Sequence, residues 1–112
     1  MNNLNKYEIV DNIRGIAVMQ APVNLIGGSE ALDLIKYISD INTDVVKSFV
    51  IDISNVNLIN SSGLGSLISL HRDLLQKNIK FYLLNPSSKI INLLKMTHLD
   101  KVFSIITDIS EL

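Results

Sequence analysis

Short apolar runs alternate with helix-like stripes along the chain, and the runs predict strands. They occupy residues 7–13, 16–20, 49–53, 79–84 and 102–106. The first two are joined by a short turn at residues 12–15, which predicts an N-terminal hairpin. The run at 49–53 is nearly continuous, as expected for a central strand buried on both faces.

Between these runs, apolar residues recur at helical spacing in three segments. They are Ala31, Leu34, Ile35, Ile38 and Ile41 in the first, Leu64, Leu67, Ile68, Leu74 and Leu75 in the second, and Ile90, Leu93 and Leu94 in the third. Residues 21–28 are predicted to be a loop before the first helix, with Ser29 as its N-cap. Asn85 is the predicted N-cap of the third helix, followed by Pro86 at its first position.

The order of elements is β-β-α-β-α-β-α-β, with a further turn of helix after Asp108. Strand-helix-strand units favour parallel neighbouring strands and right-handed crossovers. The sequence therefore predicts an α/β fold: a mixed β-sheet with an N-terminal antiparallel hairpin and helices packed on the sheet. The length of 112 residues and the lack of a linker predict a single domain over 1–112.

Composition narrows the classes of function. Hydrophobic residues make up 47% of the chain, enough for an aliphatic core to which Met19 and Met96 would contribute. The absence of cysteine excludes disulfides, thiolate metal sites and cysteine nucleophiles. A net charge of -1 without a basic run argues against direct nucleic-acid binding. The polar N-terminus, and the lack of an apolar stretch of roughly 18 residues, predict a cytoplasmic protein without membrane insertion.

The most informative chemistry lies between residues 50 and 65. The chain passes there from a predicted buried strand to the turn Asn60-Ser61-Ser62-Gly63-Leu64-Gly65 at the head of a helix. In open α/β sheets, ligands and partners bind at the carboxyl ends of strands. On local chemistry, Ser61 or Ser62 is a preferred N-cap. The functional alternative is a phosphorylation site, because a helix N-terminus stabilises a phosphate while a docked partner would meet new charge.

Other polar residues give weaker signals. His71 lies on or beside the core stripe of the second helix and is predicted to be packed or half-buried, and His98 is remote from it in sequence. Asp52 alternates with Phe49, Ile51 and Ile53 and is expected to point to the other face of the sheet or to have a backbone partner. Gly27-Gly28-Ser29 lacks the glycine spacing and lysine of a phosphate loop. With no metal-ligand spacing and no nucleophile-base pair, the sequence predicts no metal, no cofactor and no enzyme.

Residues 49–67 resemble the STAS domain, in particular bacterial anti-sigma factor antagonists. That family has a buried strand, a loop and an Asp-Ser-x-Gly-like turn followed by Leu and a small residue, matched here by residues 60–65. The similarity continues through residues 80–86, a strand that leads to a short helix. It also includes residues 90–99, the segment that precedes the last strand. The order of elements matches over essentially the whole chain.

The resemblance implies a partner-switching regulator. Such a protein binds a serine-kinase anti-sigma factor when unphosphorylated and so frees the sigma factor. The kinase would phosphorylate Ser61, with Ser62 the second choice, and a PP2C-type phosphatase would reverse the reaction. The implied partner-binding residues are Asn24, Asn60, Ser61, Ser62, Gly63, Leu64 and Gly65.

Two departures from the family keep other functions open. Asn60 and Asn24 replace acidic residues, which removes negative charge near the serine. A STAS adaptor that is not phosphorylated, docked on another protein such as a lipid-transport ATPase, is therefore the alternative. A small-molecule or nucleotide sensor using the same strand-end surface is a third hypothesis, and a weak homodimer is compatible with the sequence.

Overall fold

Residues 7–26 and 38–112 are described by a computed structural model, and they build a mixed α/β fold. In chain order the elements are β1 (Glu8–Asp11), β2 (Ile16–Gln20), β3 (Asn24–Leu25), β4 (Ser48–Asp52), β5 (Leu58–Ile59), α1 (Ser61–Gln76), β6 (Lys80–Leu84), α2 (Ser88–Met96) and β7 (Ser104–Ile106). A single 3-10 turn at Leu99–Lys101 lies between α2 and β7, and another at Ile109–Glu111 follows β7. The expected fold class is confirmed.

The main sheet has the strand order β1-β2-β4-β6-β7. β1 and β2 are antiparallel, as the predicted hairpin requires, and all other neighbours in this sheet are parallel. β4 is the central strand, and its register aligns Val50 with Val18 of β2 and with Tyr82 of β6.

Of the first predicted helix, Ile38 and Ile41 are described, and both are buried. The other positions of that prediction, including the Ser29 N-cap, lie outside the described residues. Within the part of the chain that the structure describes, no helix is long and apolar enough to cross a membrane.

Asp11 organises the turn of the hairpin. Its Oδ1 accepts hydrogen bonds from the backbone N–H groups of Ile13 (3.0 Å) and Arg14 (2.9 Å). Its Oδ2 forms an ion pair with Arg14 Nε at 2.8 Å. The last residue of the turn, Gly15, has φ +68°, a conformation that favours glycine.

The stability of the protein in acid should depend on Asp11. Hydrogen bonds from the Arg14 backbone N–H, and then from its side chain, lower the pKa of the Asp11 carboxyl. The folded state therefore binds fewer protons than the unfolded chain, so this stabilisation is complete above about pH 4 and is lost as the pH falls. We expect the unfolding free energy of Asp11→Asn to fall less than that of the unmodified protein as the pH is lowered through this range. Urea denaturation at a series of pH values measures the difference. An unchanged decline would contradict this role.

The two faces of the sheet are covered differently. The helix-bearing face carries the larger core, in which Phe49, Ile51 and Ile53 are fully buried. The opposite face, here called the outer face, carries a smaller cluster. Its members are Ile16, Val50 and Ile106, with the partly buried Val18, Tyr82, Leu84, Ile109 and Leu112 packed against them. β4 is thus buried on both faces, as its apolar run predicts.

The buried stripe of α1 differs in part from the prediction. Leu67, Leu70 and Leu74 are buried and repeat at spacings of three and four. Ile68 and Leu75 were predicted to face inward, but they are 39% and 53% exposed. Each follows a buried residue by one position, which turns its side chain by about 100° around the helix axis.

Two further expectations about apolar and capping residues were wrong. Met19 is buried as predicted, but Met96, at the end of α2, is 79% exposed. The N-cap of α2 is Ser87, whose hydroxyl accepts from the Ile90 N–H at 3.3 Å, and not Asn85. Asn85 has φ +54° and so belongs to the turn before the helix.

Candidate functional site

A small second sheet supports the turn at residues 60–65. β3 and β5 pair in parallel, with Asn24 opposite Leu58 and Leu25 opposite Ile59. β3 lies in the predicted loop at residues 21–28, and β5 lies between the predicted strand at 49–53 and the turn, where no element was predicted. The Asn57 N–H donates to the Val23 carbonyl at 2.7 Å and so extends the pairing. β3 is thereby held beside the start of α1.

Asn60 is the N-cap of α1, a role that the sequence analysis gave to Ser61 or Ser62. Its backbone is extended, and its Oδ1 accepts from the Gly63 N–H at 2.9 Å. Its Nδ2 donates to the Ile26 carbonyl at 3.3 Å, and its backbone N–H donates to the Leu25 carbonyl at 3.2 Å. One side chain therefore caps the helix and ties it to the segment that follows β3.

Both serines of the turn are exposed, because Asn60 performs the capping. Ser61 is the first residue of α1, and its hydroxyl makes no hydrogen bond within the described residues. The backbone carbonyl of Ser62 accepts from the Ser66 hydroxyl at 3.0 Å. A hydroxyl at the first helical position is thus open to solvent, beside a helix N-terminus with its positive dipole end.

The two glycines of the turn have opposite surroundings. Gly63 is buried against β3, where an added Cβ would collide with the Leu25 carbonyl oxygen and lie 2.7 Å from its carbonyl carbon. Gly63 thus permits the chain's own β3 to approach α1. Gly65 is exposed, and nothing lies within 4 Å of the position of its Cβ. Because Gly65 has no side chain, the helix surface beside Ser61 is open.

The segment around Ser61 has no ionised side chain, and apolar side chains are exposed on the elements that adjoin it. Every residue between Asp52 and Arg72 lacks a carboxylate, ammonium or guanidinium group. Asn24 is exposed on β3. Several apolar side chains of the adjoining elements are also exposed, namely Val23, Ile26, Leu58 and Ile68. Such a surface suits contact with another protein rather than with a charged ligand.

The other candidate residues have structural roles. The Asp52 carboxylate is half-buried and accepts from the Ser54 N–H at 2.9 Å, the backbone partner that was expected. His71 is half-buried as predicted, with its ring centroid 5.8 Å from those of Phe81 and Phe103. Within residues 7–26 and 38–112, no group of three His, Asp or Glu side chains could hold a metal ion. Gly27-Gly28-Ser29 lies outside the described residues.

Known structures share this fold. Protein TM1081 of Thermotoga maritima is 24% identical, with a TM-score of 0.75 over 96% of this chain and 89% of that one. The Bacillus anti-sigma factor antagonist SpoIIAA, unphosphorylated, is 21% identical, with a TM-score of 0.66 over 96% and 90%. A sulfate transporter family protein from Wolinella succinogenes is 14% identical, with a TM-score of 0.72 over 86% and 80%.

A comparison of the sequence with protein families identifies the family. The family model of the STAS domain matches residues 5–112. The matched region includes the hairpin, the central strands and the turn at residues 60–65. The chain therefore belongs to the STAS domain family.

Proposed function

We propose that this STAS domain is an anti-sigma factor antagonist whose binding to its partner is controlled by a phosphate on Ser61. The observation that carries the proposal is the position of Ser61. Its hydroxyl is exposed at the first residue of α1, and Asn60 leaves it free of the capping role. A structural neighbour, SpoIIAA, is an anti-sigma factor antagonist with structures in an unphosphorylated and a phosphorylated form.

A phosphate at this position would change the surface more than the fold. A phosphoserine carries about -1.5 to -2 charges, which the N-terminus of α1 stabilises on the protein itself. The segment between Asp52 and Arg72 carries no ionised side chain of its own. A partner shaped to fit the neutral surface would have to desolvate the phosphate without a matching cation, so phosphorylation releases it.

The proposed partner is a serine-kinase anti-sigma factor, and a PP2C-type phosphatase regenerates the binding form. The docking surface comprises Asn24, Asn60, Ser61, Ser62, Leu64 and Gly65, with Gly63 holding β3 beneath it. The protein acts in the cytoplasm by binding, without a cofactor and without catalysis of its own.

Incubation with the cognate kinase and ATP is expected to add one phosphate, located on Ser61 by mass spectrometry. Ser61→Ala should abolish this modification, because the acceptor hydroxyl is removed while the Asn60 cap remains. Ser62→Ala is the matched control, since it removes the neighbouring exposed hydroxyl and should still allow a phosphate to be added to Ser61. Phosphate found on Ser62 alone, or no phosphate with any co-encoded serine kinase, would overturn the proposed switch.

The alternative is an adaptor that docks constitutively on another protein, such as the ATPase of a lipid-transport complex. The neutral side chains of Asn60 and Asn24 favour it, because the family usually places acidic residues there. Structural similarity to a sulfate transporter family protein also supports a role outside sigma-factor control. Co-purification with an ATPase, together with full activity of Ser61→Ala, would establish the adaptor and exclude the switch.

A further inference from the structure

A cluster of cations lies at the other end of the strands from Ser61. Arg14 precedes β2, Lys47 precedes β4 and Lys80 begins β6. Together they border an open cavity of about 290 Å³, which is also lined by Ile16, Ser48, Tyr82 and Leu112. The lining side chains include no carboxylate, but the backbone carboxyl group of Leu112, the last residue of the sequence, also borders the cavity.

The register of the parallel strands brings these residues to one face. Ile16, Ser48 and Lys80 lie directly opposite one another across β2, β4 and β6. Tyr82 is two residues beyond Lys80 and so points to the same side of the sheet. Because Ile16 and Tyr82 belong to the apolar cluster of the outer face, the cavity opens on the side away from α1 and α2.

Two of the three cations are held in place by the protein. Arg14 Nε is paired with Asp11, and Arg14 Nη1 donates to the Leu112 backbone oxygen at 2.8 Å. Lys47 Nζ donates to the Thr43 carbonyl at 3.0 Å. Of the five N–H donors of a guanidinium and the three of an ammonium group, most remain free on both side chains. The site is therefore rich in positioned donors.

Of the three cations, Lys80 has the fewest hydrogen bonds within the described part of the protein. It is exposed, and its ammonium group makes no hydrogen bond or ion pair with any residue that the structure describes. With Asp11 and the carboxyl group of Leu112, the last residue of the sequence, counted against them, the three cations retain an excess of one positive charge, which favours an anionic ligand. The Ser48 and Tyr82 hydroxyls add neutral donors, while Ile16 and Leu112 provide an apolar wall.

We propose that this cavity binds a phosphate monoester whose organic group is apolar or aromatic. The phosphate contacts Lys80, Lys47 and the free N–H groups of Arg14, and the organic group packs on Tyr82 and Leu112. The site is separate from Ser61 and would operate whichever partner binds there. The phosphate could belong to a soluble metabolite or to a lipid headgroup, which present the same chemistry to these cations.

The test is a titration of the protein with phenyl phosphate, followed by amide chemical shifts in NMR spectra. We expect saturable shifts at Lys47, Ser48 and Lys80. Lys80→Gln should weaken the affinity about tenfold, the effect of losing one hydrogen bond to a charged group. Lys95→Gln, which removes an exposed lysine of α2, should leave the affinity unchanged, as should Ser61→Ala.

A second arm distinguishes the source of the phosphate. Co-sedimentation is measured with phosphatidylcholine vesicles that contain or lack phosphatidic acid. Binding that requires phosphatidic acid and is lost in Lys80→Gln would identify a lipid headgroup, and saturation by phenyl phosphate without vesicle binding would identify a soluble ester. Failure of both ligands to bind, or equal weakening by Lys80→Gln and Lys95→Gln, would overturn the proposal. Neither result would affect the proposed role of Ser61.

Discussion

Gly63→Ala is expected to lower the free energy of unfolding by about 3 kcal/mol, the upper part of the usual range for overpacking a tightly fitted site. The new methyl group would collide with the Leu25 carbonyl oxygen and crowd Ile59 Cγ2 at 3.2 Å. Relief would require β3 to move away from α1, which would strain the hydrogen bonds that Asn60 makes to Leu25 and Ile26. Urea denaturation of the two proteins measures the difference.

Gly65→Ala is the matched control for this substitution. Gly65 is two residues further along the same helix, and nothing lies within 4 Å of its Cβ position. Alanine there should raise the unfolding free energy by about 0.5–1 kcal/mol, because glycine is a poor helix former. Equal destabilisation by both substitutions would show that the close approach of β3 to Gly63 is not the cause.

Phe49→Ala is expected to cost about 4 kcal/mol of unfolding free energy, typical of removing a buried aromatic ring. Phe49 is fully buried in the central strand and faces the larger core. Its ring also makes an edge contact with Tyr7, with centroids 5.9 Å apart. The surrounding strands are fixed by pairing on both sides of β4, so the cavity should close only in part. Chemical denaturation provides the measurement.

Ile13→Ala provides the comparison for Phe49→Ala. Ile13 is an apolar side chain of the hairpin turn and is 97% exposed. Its truncation should change the unfolding free energy by less than about 0.5 kcal/mol. A loss of less than about 2 kcal/mol for Phe49→Ala would mean that the core repacks around the missing ring, against the tight packing described here.

The main sheet could be predicted because its strands carry strong local signals. A continuous apolar run such as 49–53 has few alternatives, and the hairpin is indicated by two apolar runs separated by a short turn that ends in glycine. The assignment of inner helix positions was less secure in α1, where Leu67-Ile68 and Leu74-Leu75 are adjacent apolar pairs. Only one member of each pair can face the core, and the sequence does not say which one.

The turn at residues 60–65 could be located from sequence, but its internal arrangement could not. Asparagine and serine are comparable N-caps, so Asn60, Ser61 and Ser62 are equivalent candidates on local chemistry. Asn60 is selected as the N-cap because its side-chain amide also donates to the Ile26 carbonyl, which lies far away in sequence. β3 and β5 were missed because strands of two residues are too short to show alternation.

The absence of ionised groups between Asp52 and Arg72 has a kinetic consequence. This segment adds no charge that could attract a partner over a long distance, so we expect encounters with it to depend mainly on collision and on shape. The association rate with the unmodified protein should accordingly respond little to ionic strength. Once Ser61 carries a phosphate, the approach of an acidic partner becomes slower in dilute buffer than in concentrated salt.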